Sequence, residues 1–165
     1  MRTCLIRLFL FCGAMILASI PTLAQDTPKA ELFAGYSAAR FANRGDYLSG
    51  FSVSINGNFT RSVGVVADFG TYFKNNDQIY NFMAGPRFSY RKSSRVTPFA
   101  QVLAGVVAPE PAFTMAIGGG IDIKLNEHIA FRAVQVEYLF LRGGENATNH
   151  NARISTGIVF RFGKI

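Results

Sequence analysis

The stretch FTMAIGGGIDIK, Phe113 to Lys124, alternates large apolar residues with small or polar ones. Successive side chains of a β-strand point to opposite faces, so this period-two pattern predicts a strand with one apolar face. The same alternation occurs in FSVSINGNF (51–59) and in RISTGIVFRF (153–162). Three clear cases in one short chain indicate an all-β domain.

Turn residues divide the chain after Pro28 into eight such segments. Each is near or above the roughly 9–11 residues that a tilted strand needs to cross a bilayer, whereas strands of soluble proteins average about 5–6 residues. Eight is also the smallest common strand count of closed bacterial membrane barrels. The sequence therefore predicts an eight-stranded antiparallel up-and-down transmembrane β-barrel. Its predicted strands are Lys29–Arg40, Leu48–Phe59, Val63–Phe73, Ile79–Arg91, Thr97–Val107, Phe113–Leu125, Ile129–Arg142 and Asn151–Phe162.

The composition of the two strand faces indicates which face points outward. The polar face carries Ser, Asn, Gly, Thr and single charges, with few of the Lys and Glu residues that a water-exposed face prefers. The apolar face carries Phe, Ile, Val, Ala and Leu, with tyrosines toward strand ends, where an aromatic girdle would lie. We therefore expect apolar side chains to face lipid and polar side chains to face the lumen. The girdle tyrosines are Tyr36, Tyr80, Tyr90 and Tyr138.

The N-terminal segment differs from the rest of the chain. Arg2 and Arg7 precede the apolar run Leu8–Leu17, and Ala24 ends the small-residue context of a cleavage site. This pattern predicts a cleavable signal peptide over residues 1–24 and a barrel domain over residues 25–165. Loss of the two arginines lowers the formal net charge from +7 to +5. Both cysteines of the chain lie in this segment, so the mature barrel offers no thiol for disulfide, redox or metal chemistry.

Two local features interrupt the simple alternation. In the seventh strand, Arg132 has opposite parity to Gln135 and Glu137, which predicts a β-bulge near Ala133–Val134 that resets the phase. Pro86 and Pro98 lack an amide proton, so each is expected at a bulge or a strand end. The expected outer loops are Arg40–Tyr47, Lys74–Gln78, Ala108–Ala112 and Arg142–His150, with shorter periplasmic turns at Thr60–Ser62, Lys92–Val96 and Asn126–His128.

Several short motifs occur in a familiar order along the mature chain. They are ELFAGYS (31–37), GPR (85–87), GGGID (118–122), RAVQVEY (132–138) and GIVFRF (157–162). In order and spacing they resemble the OmpA-like transmembrane domain and the outer-membrane β-barrel "porin family". The resemblance implies a bacterial outer-membrane location, contact with outer-membrane lipid, and insertion by the barrel-assembly machinery that recognises the last strand.

Charged residues at inward positions form the candidate functional site. Both signs occur, so the charges can pair in a lumen that is narrow enough for side chains to fill. A paired, filled lumen predicts a structural plug, whereas arginines that exchange carboxylate partners would form a gate for small ions. The proposed network is Asp68, Arg87, Asp122, Arg132, Glu137, Arg153 and Arg161, and the wider inward set adds Glu31, Gln101 and Gln135.

The sequence gives little support to catalysis. His128 falls in a predicted periplasmic turn, and His150 lies in the last outer loop without a serine in a recognisable motif. Gly118–Gly120 is followed by no helix and no Lys-Ser/Thr pair, so it favours close strand packing over phosphate binding. We therefore expect no enzyme activity, no catalytic residue, no cofactor and no metal site, and, since the chain is exported, no nucleic-acid partner.

Three functional hypotheses remain open at this point. The favoured one is a structural or interaction barrel whose outer loops could contact a partner that the sequence does not identify. The first alternative is a minimal porin-like pore for small ions or solutes. The second alternative is a soluble lipocalin-like carrier, which would need a polar exterior around an apolar cavity.

Overall fold

A computed structural model describes residues 27–40, 47–74, 77–93, 95–109, 112–142 and 151–165. Eight antiparallel strands, each paired with the next and the last with the first, close into a barrel. They are β1 (Ala30–Arg40), β2 (Tyr47–Asn58), β3 (Val63–Lys74), β4 (Asp77–Ser89), β5 (Val96–Ala108), β6 (Ala112–Lys124), β7 (Ile129–Arg142) and β8 (Asn151–Phe162). The predicted fold class is confirmed, and every strand end lies within two residues of its predicted position. The predicted signal peptide lies outside the described residues. Within them, no helix is long and apolar enough to span a membrane.

The strand register fixes the inclination of the strands. Directly paired neighbours lead from Val63 in β3 around all eight strands and return to β3 at Phe73, ten residues further on. A stagger of this size over eight strands corresponds to a tilt of about 40° from the barrel axis. With only eight strands the lumen is nevertheless narrow, and side chains from opposite walls can meet across it.

The outer surface of the barrel is apolar, as expected. Branched aliphatic residues such as Val53, Val102 and Ile117 are exposed along the strands. Exposed aromatic rings concentrate in the loop-side halves of the strands and again near their turn-side ends. The loop-side rings include Tyr47, Phe51, Phe73, Phe82, Phe113 and Phe140, and the turn-side rings include Phe59, Phe88, Phe160 and Phe162. This is the arrangement of a lipid-facing surface with two aromatic girdles.

Polar side chains face the lumen, as expected, but they do not fill it alone. Strand parity alone decides which side chains point inward, and it also turns several large apolar side chains into the interior. These residues fill space in the interior and, apart from the Tyr72 hydroxyl, need no hydrogen-bond partners. The buried apolar residues include Phe33, Leu48, Val66, Tyr72, Met83, Phe99, Leu103, Ala116, Leu139, Leu141 and Val159.

The predicted bulge in β7 is confirmed. Ile121 faces Val134 whereas its neighbour Asp122 faces Arg132, so Ala133 has no partner in β6. The pairing of β7 with β8 shifts at the same place. The extra residue turns both the arginine before it and the glutamate after it toward the lumen.

The two strand prolines behave differently. Pro98 is the third residue of β5 and lies near the strand end, as expected. Pro86 lies inside β4 without a bulge, because the β4–β5 register is the same before it, at Ala84–Ala104, and after it, at Arg87–Gln101. The prediction for Pro86 is therefore wrong. Pro86 is paired with a residue of β3 but has no partner in β5, so its missing amide donor affects only the ladder between β4 and β5.

Side chains in the sequence fix two of the turns. In the β2–β3 turn, the Thr60 hydroxyl accepts a hydrogen bond from the Val63 amide at 3.0 Å. In the β6–β7 turn, the side-chain oxygen of Asn126 accepts a hydrogen bond from the Ile129 amide at 2.7 Å. We call the end with these turns the turn end and the opposite end the loop end. The prediction that the loop-end connections are longer than the turns is only partly confirmed. Connections 75–76 and 109–111 are shorter than any turn, and only connection 143–150 is longer than every turn.

Candidate functional site in the barrel lumen

All seven residues of the proposed network are buried within the barrel. They point inward from β3, β4, β6, β7 and β8, and the wider set that includes Glu31, Gln101 and Gln135 is buried as well. The structure divides them into three clusters along the lumen, which we call the middle, stacked and turn-end clusters. Residues that the sequence did not single out, above all Phe33, Phe99 and Arg91, complete these clusters.

The middle cluster is one arginine shared by two carboxylates. Arg153 has no solvent exposure, and its Nη1 lies 2.7 Å from Asp68 Oδ1 while its Nε lies 2.6 Å from Glu137 Oε2. Gln101 and Gln135 donate further hydrogen bonds to the two Glu137 oxygens, at 2.7 and 2.9 Å. These contacts join walls that are distant in sequence, because Asp68 lies on β3 and Arg153 on β8. The cluster carries one net negative charge if all groups are ionised.

The stacked cluster is built around Arg132. Its Nε and Nη2 donate to the two Asp122 oxygens at 2.7 and 3.0 Å, a bidentate pair. Its guanidinium carbon lies 4.4 Å from the ring centres of both Phe33 and Phe99. Gln135 accepts a hydrogen bond from Nη1 at 2.6 Å, which links this cluster to the middle one. The guanidinium thus forms charge-assisted hydrogen bonds with Asp122 and cation–π contacts with the rings of Phe33 and Phe99.

Two glycines make room for the rings of the stacked cluster. A β-carbon at Gly35 would lie 2.7 Å from Phe33 Cζ, and one at Gly120 would lie 2.8 Å from Phe99 Cζ. Both would also meet the backbone of a neighbouring strand at 2.1 and 2.4 Å. Close strand packing was the favoured interpretation of Gly118–Gly120, and this geometry confirms it. The run also makes room for the ring of Phe99, because a side chain at Gly120 would displace this ring from its contact with Arg132.

The turn-end cluster surrounds Glu31. Arg91 Nη2 lies 2.9 Å and Asn56 Nδ2 lies 2.8 Å from Glu31 Oε2, while Arg161 Nε lies 3.7 Å from Oε1. Asn58 holds the entering chain by donating to the Pro28 carbonyl at 2.9 Å. Arg91 is absent from the sequence-derived set, although it ends the predicted fourth strand with the same parity as Arg87; in the structure it follows β4.

Arg87 connects the clusters. Its Nε donates to Gln101 at 2.8 Å, and its guanidinium carbon lies 4.4 Å from the Phe99 ring centre. Arg87 interacts electrostatically with Glu31, but within the described chain it forms no ion pair shorter than 4.0 Å. It is therefore the network arginine without a carboxylate of its own.

The described parts of the chain contain no group of three or more His, Cys, Asp and Glu side chains that could hold a metal ion. His128 is exposed at the turn end, as expected. His150 and the rest of 143–150 lie outside the described residues.

Comparison with known proteins places the fold. No family model matches the chain, and neither does any curated protein sequence. Among solved structures, Neisserial surface protein A superposes with a TM-score of 0.61 at 14% identity, covering 81% of this chain and 96% of that one. Ail, the attachment invasion locus protein of Yersinia pestis, gives 0.55 at 17% identity, covering 82% and 99%. The N-terminal β-barrel domain of Pseudomonas aeruginosa OprF gives 0.55 at 14% identity, covering 84% and 100%.

These structures share the closed barrel with the present chain over nearly their whole length, although few residues are identical. The OmpA-like resemblance of the sequence motifs agrees with this result. The chain has the fold of the eight-stranded outer-membrane β-barrels.

Proposed function

We propose that the protein is an integral barrel of the bacterial outer membrane with a structural or interaction role, and that it does not form an open pore. The filled lumen carries this proposal. The apolar outer surface, the aromatic girdles and the outer-membrane fold support the location.

The filling combines charge pairs with apolar packing. A permeating ion would have to pass Arg153, which is in contact with Asp68 and Glu137, and the Arg132 stack between Phe33 and Phe99. On one side of the lumen, buried apolar side chains from five strands pack together: Val66, Met83, Leu103, Ala116, Leu139 and Leu141. A dry apolar cluster offers no ligand to replace the hydration shell of an ion. A rearrangement of charge pairs alone would leave this part of the filling in place.

An interaction role would reside at the loop end. Arg40 lies 5.9 Å from the exposed ring of Tyr47 across the first loop, so a charged and aromatic rim is available there. We infer no enzyme activity, since the charged lumen groups are buried and closed off from a substrate. Insertion by the barrel-assembly machinery remains part of the proposal and rests on the family resemblance.

Two measurements test the proposal. Cell fractionation followed by electrophoresis of unboiled and boiled samples should show a heat-modifiable band in the outer-membrane fraction. Release of the protein from membranes by salt alone would contradict the membrane location and favour the carrier hypothesis. In planar bilayers, we expect no steady channel openings from the purified folded chain. Steady openings that disappear in the Arg87→Gln or Arg132→Gln variant would establish the pore instead.

A further inference from the structure

Together with the connecting Arg87, the turn-end cluster has more positive charge than its carboxylate can balance. Arg87, Arg91 and Arg161 all interact with the single carboxylate of Glu31. All four side chains are more than nine-tenths buried. With every group ionised, the cluster has three positive charges and one negative charge.

Asp122 also interacts electrostatically with Arg87 and Arg161, but the other described carboxylates of the lumen are each in direct contact with another arginine. Asp122 is bound in bidentate fashion by Arg132 at 2.7 and 3.0 Å. Asp68 and Glu137 share Arg153 in the middle cluster. The lumen is therefore electrically polarised, with its positive excess at the turn end and its negative excess in the middle.

The same three arginines carry buried donors without acceptors. Arg87 Nη2, Arg91 Nε and Arg161 Nε have no hydrogen-bond partner among the described residues. Buried N–H groups almost always have a partner in folded proteins, so three orphaned guanidinium donors around one carboxylate indicate a bound molecule that supplies acceptors.

The charge excess decides what kind of molecule fits. Water can accept the three hydrogen bonds, but it leaves two buried positive charges unbalanced, which is costly where the surroundings are poorly polarisable. An anion satisfies both requirements, and only a small one fits in a narrow lumen beside four side chains. Exposed cations at the turn end would raise the local anion concentration: Lys29, Arg61, Lys92 and Arg95.

We propose that the turn end of the lumen binds a small inorganic anion of the halide type, with chloride as the available ion, through Arg87, Arg91 and Arg161. The anion accepts the orphaned N–H donors and offsets the excess charge beside Glu31. It acts as part of the plug, so the site is independent of whether the loops contact a partner.

The test is chloride-35 NMR on the full mature chain folded in uncharged detergent micelles, at constant ionic strength with gluconate as the replacement anion. Binding broadens the chloride line in proportion to protein concentration. We expect the Arg87→Gln and Arg161→Gln variants to lose at least half of this broadening. Arg142→Gln, which removes the same charge from an exposed position at the loop end, should keep it. Heat-modifiable migration verifies that each variant is folded.

Two outcomes would overturn the proposal. One is no broadening beyond that of empty micelles, which means that water alone meets the donors. The other is equal broadening in wild type, R87Q and R161Q, which means that chloride binds only at the surface. If R87Q and R161Q fail to fold, crystals of the wild-type chain in bromide decide, because an anomalous peak must lie beside these guanidinium groups.

Discussion

Removal of Arg153 should destabilise the barrel more than removal of any exposed arginine. The Arg153→Met variant keeps much of the side-chain volume but leaves Asp68 and Glu137 facing each other without a cation, at 4% and 1% exposure. Breaking a buried ion pair in this way costs about 3–5 kcal/mol. Glu137 retains hydrogen bonds from Gln101 and Gln135, so we expect a loss near the middle of that range, about 4 kcal/mol in the free energy of unfolding.

The assay is urea unfolding of the folded chain in lipid vesicles, followed by far-ultraviolet circular dichroism and by the heat-modifiable band. The matched control is Arg142→Met, an exposed position at the loop end of β7, which should change the free energy of unfolding by less than about 0.5 kcal/mol. Neutralising all three partners in the Arg153→Met/Asp68→Asn/Glu137→Gln variant should recover at least half of the loss, since no buried charge is then left unpaired. A cost below about 1 kcal/mol for the single variant would refute the reasoning, because the middle cluster would then be hydrated rather than closed.

Three further predictions concern packing and the lipid-facing surface. Gly120→Val should destabilise the fold by about 1–3 kcal/mol or prevent folding, because its β-carbon would lie 2.4 Å from the Val134 carbonyl and 2.8 Å from Phe99; a folded yield and urea midpoint equal to those of wild type would contradict the close approach. Phe33→Leu should lower the free energy of unfolding in the same urea assay by about 2 kcal/mol, because it removes buried apolar surface and one cation–π contact to Arg132. A similar loss in the Arg132→Met background would show that the two residues are not coupled. Ile117→Lys on the outer surface should lower the free energy of unfolding in vesicles by about 2–4 kcal/mol, and Phe59→Lys at the turn end should lower it by less than half of that. Equal losses would argue against a bilayer around the strands.

The strands and the bulge could be predicted because they depend on local patterns. Alternation sets the strand limits, and the opposite parity of Arg132 and Glu137 requires one extra residue between them. The inward position of every network residue follows from the same parity. For Pro86 the local rule failed, because a missing amide proton can be tolerated on one side of a strand when the register on both sides is already fixed.

The apolar part of the lumen was missed although its pattern is present in the sequence. Once Glu31 is placed inward, parity also places Phe33 inward, and Gln101 does the same for Phe99. An apolar side chain on a barrel strand can contact lipid, but it can also fill the centre of a narrow barrel, so hydrophobicity alone does not distinguish the two positions. The inward position of Arg91 was also missed, although Arg91 shares the parity of Arg87 in the predicted fourth strand. The pairing of Asp68 with Arg153 could not be predicted, since it depends on the stagger of the closed barrel.

The extra residue in β7 also affects how this chain must be compared with others. Any alignment that runs through Ala133 without a gap against a strand lacking the bulge will match lumen positions on one side of it with lipid positions on the other. Conservation scored that way would set Gln135 and Glu137 against residues that touch acyl chains, and the network would seem to be lost in relatives that have kept it. A gap placed at Ala133 restores the correspondence, so the search for distant relatives of this barrel should begin from the two halves of β7 treated separately.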